Sequence, residues 1–334
     1  MTSSRLWTVA ATFAAVLAVT GCGGEDEAGG GTSAGAGDKP AKVKMASLGV
    51  ASDAAMMLGR KKGFFEQEGI DLQVEQVGAG GAAVAPAVLK GEYDVAGGGI
   101  DGPVLGAAKG LPLKVIGSGG APVSKGTTPP QGTEKGTTGI AVPADSPIRS
   151  VADLAGKKMA AITITGLQYL CIAGAAEKAG VDREQLKILE IPAPEMLAAL
   201  ESGRVEAAAL VEPFITVARK QGMRIIDDPC VDAIPGAIQA GYFTSEKWAN
   251  ENTDTAQRLS KALVRSNEYA NENPDEVRAI LPEYTKIEPG LAKAITLAPY
   301  DTGGENTLGV IADKLEQYGL IDSKPDTDAI LTDG

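Results

Sequence analysis

Histidine is absent from the 334 residues, so a Ser-His-Asp triad, a Cys-His pair and histidine-ligated zinc are all excluded. That removes much of hydrolase chemistry, and two stretches concentrate the backbone donors, hydroxyls and carboxylates that could hold a ligand. The first is Lys157 to Cys171, KKMAAITITGLQYLC, which changes character halfway. Met159 to Ile162 is a short run of small and β-branched residues that reads as a buried strand, whereas Tyr169 to Ala179 has helical apolar spacing. Between them, Thr163-Ile164-Thr165-Gly166 turns strand into helix. The helix start, through Leu167 and Gln168, leaves free backbone N–H groups that can hold an anion or a polar ligand group. The same residues also read as an ordinary βα turn capped by Thr165. The second stretch is Gly97-Gly98-Gly99-Ile100-Asp101. Its glycines let backbone approach a ligand closely, and Asp101 either caps the next helix or accepts from the ligand.

A formal net charge of -12 argues against nucleic acid and anionic membrane surfaces as partners, since both reward clustered Lys and Arg. At the N-terminus, Arg5 is followed by an apolar run from Leu6 to Val19 that is short for a membrane span, so residues 1–21 read as a signal peptide. The run ends in Leu17-Ala18-Val19-Thr20-Gly21-Cys22, which resembles a bacterial lipobox. That resemblance implies lipid on Cys22 and anchorage to the outer face of the cell membrane. Residues 22–41, rich in Gly, Ala and acidic residues, read as a flexible tether with an end-to-end distance of roughly 25 Å. In such an exported, oxidising setting the remaining pair, Cys171 and Cys230, reads either as a disulfide or as two separate buried thiols.

The elements that must position these residues alternate between strand and helix from Val43 onward. Strand patterns at 43–48, 72–77, 93–96 and 113–118 are interleaved with helical patterns at 54–62, 82–90 and 103–109. Gly119 to Thr138 fits neither period and reads as an irregular loop. The alternation resumes with strands at 139–142, 159–162, 186–191, 207–211 and 223–226, and helices after Gly166, at 195–201 and at 214–220. A last strand, Gly236 to Phe243, returns the chain to the first half. Helical spacing then fills 256–269, 275–281, 290–297 and 308–318. Alternation of this kind predicts an α/β fold of parallel sheets flanked by helices. Two lobes follow, 42–138 plus 237–334 and 139–236, crossed twice by the chain and able to close over a ligand held between them. Phe64 and Phe65 read as core residues of the first lobe.

Six segments in order resemble one family. They are Lys62 to Asp71 (KGFFEQEGID), Leu89 to Ala96 (LKGEYDVA), Ser150 to Lys158 (SVADLAGKK), Glu177 to Gly180 (EKAG), Leu200 to Ala207 (LESGRVEA) and Val211 to Pro213 (VEP). The family is the extracytoplasmic solute-binding proteins of ABC importers, in the nitrate, sulfonate and taurine group that includes thiamine-precursor binders. The resemblance implies a type II periplasmic-binding-protein fold and a small organic anion or zwitterion as ligand. It also implies an ABC permease in the membrane as partner, a monomer, and no metal, cofactor or enzymatic activity. Two rivals are an exported enzyme related to pyrimidine-precursor synthesis and a sensor lipoprotein without a transport role. The enzyme chemistry, by resemblance, needs a histidine that this chain lacks.

Ligands of open α/β sheets bind at the carboxyl ends of strands. In the first lobe this selects Ser52 and Asp53, then Gly80 and Gly81, then Gly98, Gly99, Ile100 and Asp101, with Met56 as adaptable apolar contact. For Asp53 and Asp101 helix capping is the competing role. In the second lobe the resemblance points to Thr163, Thr165, Gly166, Leu167 and Gln168, and to Glu212. Relatives often carry hydroxyl residues where this chain has Gly166, Leu167 and Gln168. Glu212 either receives an amine or caps the helix after Pro213. Tyr169, Phe214 and Tyr242 are the aromatic residues in reach of the cleft.

Overall fold

The first sheet is built around β1 (Ala41–Ser47), whose Val43, Met45, Ala46 and Ser47 are all buried, the pattern of a strand covered by helices on both faces. The computed structural model describes residues 39–78, 80–119, 137–234, 237–301 and 308–332. The signal segment, Cys22 and most of the tether lie outside the described residues, as does most of the irregular stretch 119–138. Ala41, assigned to the tether from sequence, already opens β1.

After β1 come α1 (Ala54–Lys61), α2 (Phe64–Gln67), β2 (Ile70–Gln76), α3 (Gly81–Leu89), β3 (Val95–Gly99), α4 (Asp101–Ala108) and β4 (Leu113–Ser118). The middle of the chain gives β5 (Thr138–Val142), β6 (Lys158–Ala161), α5 (Leu167–Lys178), β7 (Lys187–Glu190), α6 (Met196–Glu201), β8 (Ala207–Val211), α7 (Phe214–Lys220), β9 (Arg224–Asp227) and α8 (Pro229–Ala233). Then follow β10 (Ala240–Ser245), α9 (Glu246–Glu251), α10 (Thr253–Glu272), α11 (Pro274–Thr285), α12 (Pro289–Ala292) and α13 (Leu308–Gln317). Among the described residues no helix is long and apolar enough to cross a membrane.

The strands form two five-stranded sheets, β2-β1-β3-β10-β4 and β7-β6-β8-β5-β9. β1 runs parallel to β2 and β3, and β6 runs parallel to β7 and β8. Strand-helix alternation predicts wholly parallel sheets, and here the structure differs. Each sheet holds one antiparallel strand in the equivalent place, β10 between β3 and β4 and β5 between β8 and β9. Both are strands that arrive from the other half of the chain. No helical crossover within their own sheet imposes the parallel sense on them.

Phe65 is fully buried beneath β1 with Met56, Leu259 and Leu263, so α1, α2 and α10 close one face of the first sheet. The C-terminal helix α13 has a different role. Its Ile311, Ala312 and Leu315 share a core cluster with Val104 of α4 and Leu170 of α5, one helix from each half. Just beyond it, Arg183 Nη1 donates to the Tyr318 carbonyl at 2.7 Å and the Tyr318 hydroxyl donates to Glu177 at 2.9 Å. The helix expected over 290–297 is cut short, since α12 ends at Ala292. Thr296 leaves the helical path because its backbone N–H donates to Glu212 Oε1 at 3.3 Å instead of to a carbonyl one turn back.

Candidate ligand-binding site

Both sheets direct the carboxyl ends of their parallel strands at one cavity of about 130 Å³. Leu48 and Val50 follow β1, Gly98 and Gly99 end β3, Ile162 and Thr163 follow β6, and Val211 ends β8. The antiparallel strands contribute their starts, because their direction is reversed: Thr137 and Thr138 lie at the head of β5, and Gln239 and Ala240 at the head of β10.

The turn after β1 is fixed by its own carboxylate. Asp53 Oδ2 accepts from the Ser47 hydroxyl at 2.7 Å and from the backbone N–H groups of Gly49 at 2.7 Å and Val50 at 3.3 Å. Burial raises the Asp53 carboxyl above its ordinary range, and these three donors offset part of the rise. From behind, the Tyr284 hydroxyl donates to the Val50 carbonyl at 3.0 Å and the Tyr300 hydroxyl to the Ala51 carbonyl at 3.1 Å. The Ala51 N–H donates to the Glu212 carbonyl at 3.0 Å, which ties this turn to the end of β8.

Asp101 opens α4 and is only 2% exposed. Its carboxylate lies against Gly99 on its own side and Gly166 on the other, where a Cβ added to either glycine would collide with it. The helix α5 begins at Gly166 with no side-chain cap of its own. The carboxylate facing that helix start comes from α4, and the positive end of α5 favours it. Burial pushes the Asp101 carboxyl up to about 6, and the Leu167 and Asp101 backbone N–H groups offset only part of that. No hydrogen bond of ordinary geometry reaches Asp101 Oδ2, the oxygen that faces Gly166.

Glu212, also 2% exposed, is by contrast well supplied. Its Oε1 accepts from the Thr216 hydroxyl at 2.9 Å and the Thr296 N–H at 3.3 Å, and its Oε2 accepts from the Thr216 N–H at 3.2 Å. Burial still dominates and pushes this carboxyl up to about 7, against the hydrogen bonds from Thr216 and Thr296 and the more distant charge of Arg219. Behind Thr138, Asp228 accepts from the Thr138 hydroxyl, and burial pushes it up to about 6. Cys171 of α5 and Cys230 of α8 form a disulfide at the back of the cavity. Among the described residues, no group of three or more Cys, Asp or Glu side chains is placed to hold a metal ion.

The residues singled out from sequence fall on both sides of this boundary. In the first lobe, Ser52, Gly80, Gly81, Gly98, Gly99 and Asp101 line the cavity. In the second, Thr163, Leu167, Gln168 and Glu212 do. Five do not. Asp53 turns inward to bind its own turn, and Met56 is fully buried in the core beneath β1 rather than free to touch a ligand. Ile100 packs with Val104 beneath α4. Thr165 points to solvent and caps nothing, and Gly166 touches Asp101 rather than the cavity. The Gln168 amide is committed to stitching two strands, since it accepts from the Ile162 N–H at 2.5 Å and donates to the Ala209 carbonyl at 2.8 Å. Of the aromatic candidates, Tyr242 and Phe214 are core residues and Tyr169 packs beside α13. Sequence reasoning did not select Thr137, Thr138, Gln239, Thr296 or Tyr300. The first three start the crossing strands and were findable from the inferred crossings, whereas nothing local marks Thr296.

A larger groove, of about 820 Å³, runs along α9 and α10 past Lys261 and Arg265. It is a surface feature of one lobe and brings no residues of the second sheet together with the first.

Two sheets of like order that meet at a shared cavity define a two-lobe α/β binding fold of the periplasmic-binding-protein type. The chain belongs to the NMT1/THI5-like family, whose model matches residues 51–277, more than half of its length. The alkanesulfonate-binding protein SsuA from Xanthomonas axonopodis pv. citri, bound to MOPS, has the same fold: the TM-score is 0.71 at 18% identity, over 89% of this chain and 99% of that one. So does the periplasmic nitrate-binding protein NrtA from Synechocystis, with a TM-score of 0.67 at 15% identity, over 86% of this chain and 84% of that one. Among curated proteins, the nitrate import ATP-binding protein NrtC of Synechocystis is 24% identical over 143 residues, 41% of this chain. The chain spans 21% of the length of that relative.

Proposed function

We propose that this chain is the solute-binding component of an ABC importer, held on the outer face of the cell membrane by lipid on Cys22. It captures a small organic solute between its lobes as a monomer and hands it to a membrane permease. The observation that carries this reading is the cavity of about 130 Å³ walled by both sheets at their strand ends, where binding can draw the two halves together. The family and the shared fold support it, since SsuA and NrtA are named for the alkanesulfonate and nitrate they bind. The solutes to consider first are accordingly sulfonates, taurine, nitrate and vitamin precursors. No catalytic role is proposed: the enzyme chemistry of the rival reading depends on a histidine, and this chain has none.

A thermal-shift panel of sulfonates, nitrate, amino acids and vitamin precursors tests the reading. A true solute at 100 times its Kd adds about 2.7 kcal/mol of stability by mass action. No shift with any compound, together with a scattering profile unchanged by small-molecule cell extract, would count against capture altogether.

A further inference from the structure

We infer that the solute carries a cationic N–H donor group, an ammonium or an amidinium, and that Asp101 and Thr296 are the residues that receive it. This rests on the reading of the cavity as a capture site and narrows the solute class within it.

The first observation is unmet hydrogen-bonding capacity. No hydrogen bond of ordinary geometry reaches Asp101 Oδ2 or Thr296 Oγ1, their residues are 2% and 0% exposed, and both residues line the cavity. A buried carboxylate oxygen and a buried hydroxyl without partners are costly in a folded protein. They become favourable once a donor-rich group arrives. Glu212 is not the vacant acceptor, since both of its oxygens are already bonded to Thr216 and Thr296.

The second observation is the sign of the wall. Among its described residues the charged side chains are Asp101 and Glu212, with no Lys or Arg. Asp228 adds a further carboxyl behind Thr138. Arg219, in α7, is the cation that acts on Glu212 and Asp228, and it does not line the cavity.

The third observation is that Asp101 already places a carboxylate in front of α5, its Oδ2 turned to Gly166 without a hydrogen bond of ordinary geometry. Asp101 sits against Gly166 and faces the Leu167 N–H, so a nitrate or sulfonate head would meet a carboxylate at the place where the helix end would otherwise attract it. Like charges at a buried site repel strongly. The rest of the wall, with Leu48, Ile162, Val211 and Leu297, suits a short aliphatic body. Because Asp101 must be ionised to hold a cation, affinity should strengthen as pH rises through about 6.

The test equilibrates the full chain with an equimolar mixture of three charge classes and identifies retained compounds by mass spectrometry. Butylammonium, agmatine, 4-aminobutyrate and taurine carry the cationic group; ethanesulfonate and butyrate are anions; butanol and urea are neutral. Retention from the first class is expected, stronger at pH 7.5 than at pH 5. Asp101→Asn should lower it by at least about tenfold, while the ligand-free melting temperature at pH 7.5 stays level or rises, because the cost of burying the charge outweighs the backbone N–H groups that favour it. Thr296→Val keeps the side chain's shape and the backbone bond to Glu212, and should lower retention severalfold. It serves if Asp101→Asn does not fold. Retention of anions or neutral compounds alone overturns the inference and leaves solute capture standing. Retention of nothing overturns both. Undiminished retention in both variants, or a lower melting temperature with unchanged retention in Asp101→Asn, assigns Asp101 a structural role and overturns the inference.

Discussion

Gly166→Ala probes whether the two lobes meet where the structure joins them. A Cβ at this position would stand 2.9 Å from Thr163 Cγ2 and 3.1 Å from Asp101 Cγ, and nearer still to Asp101 Oδ2. Ordinary carbon contacts lie at roughly 3.5–4.0 Å, so either Asp101 turns away from α5 or the lobes separate. Overpacking of this kind costs about 1–3 kcal/mol, which lowers the melting temperature by roughly 2–10 °C. Asp101→Ala removes the atoms that collide and leaves only the Thr163 contact. The double variant should therefore recover most of the loss caused by Gly166→Ala alone. Denaturant unfolding of wild type, both single variants and the double variant closes the cycle, with an expected coupling of about 1–2 kcal/mol. If the two effects add to within about 0.5 kcal/mol, Asp101 of the first lobe does not touch Gly166 of the second, and the joined site is wrong.

Three further outcomes are expected. Burial raises Asp101 from 3.8 to about 6 and Glu212 from 4.5 to about 7, so the native state keeps these protons to higher pH than the unfolded chain does. The stability they contribute is complete below the unfolded values and is lost as pH rises through the folded ones. For Asp101 this is worth roughly 3 kcal/mol, and the ligand-free protein should melt higher at pH 5 than at pH 7.5; a melting temperature that climbs over that interval would contradict the burial of these carboxyls. The Cys171–Cys230 bond closes a separation of 59 residues, for which chain-entropy reasoning gives about 4 kcal/mol. Reduction should cost a comparable amount, and the unreduced, unfolded chain should show one reactive thiol at most, that of Cys22 where it carries no lipid; two or more would remove the bond. At Gly80, which lines the cavity, a Cβ makes only ordinary contacts, 3.4 Å from Ile162 Cγ2 and 3.9 Å from Thr163 Cβ, so the side chain of Gly80→Phe is directed at the cavity wall formed by those residues. This variant should fold with a melting temperature within a few degrees of wild type and lose every ligand-induced shift; a preserved shift would move the site elsewhere.

The fold was legible because its signals are local. β-Branched and small residues mark Ala207–Val211, helical spacing marks Phe214–Lys220, and both elements stand in the structure at those bounds. Strand direction was not legible where it depends on the path between lobes: β5 and β10 look like any other strand in sequence, and only their arrival from the opposite half makes them antiparallel. The same limit governs the site. Turns at strand ends led to Gly80, Gly98 and Thr163, which line the cavity. A carboxylate's preference between its own turn and the cavity is set by neighbours distant in sequence. Asp53 finds Ser47, Gly49 and Val50 close by and turns inward, whereas Asp101 meets Gly166 of the other half. Thr296 lay inside an apparently helical stretch, and its departure from the helix is decided by Glu212, 84 positions away.

A crystal structure of the full chain grown with the mixed-charge compound set would test capture between the lobes most directly. Ordered density for one compound is expected in the cavity, touching Asp101 or Thr296 on the first lobe's side and Thr138 or Thr163 on the second. Density confined to the groove beside Lys261 and Arg265, with the interlobe cavity holding water alone, would contradict it.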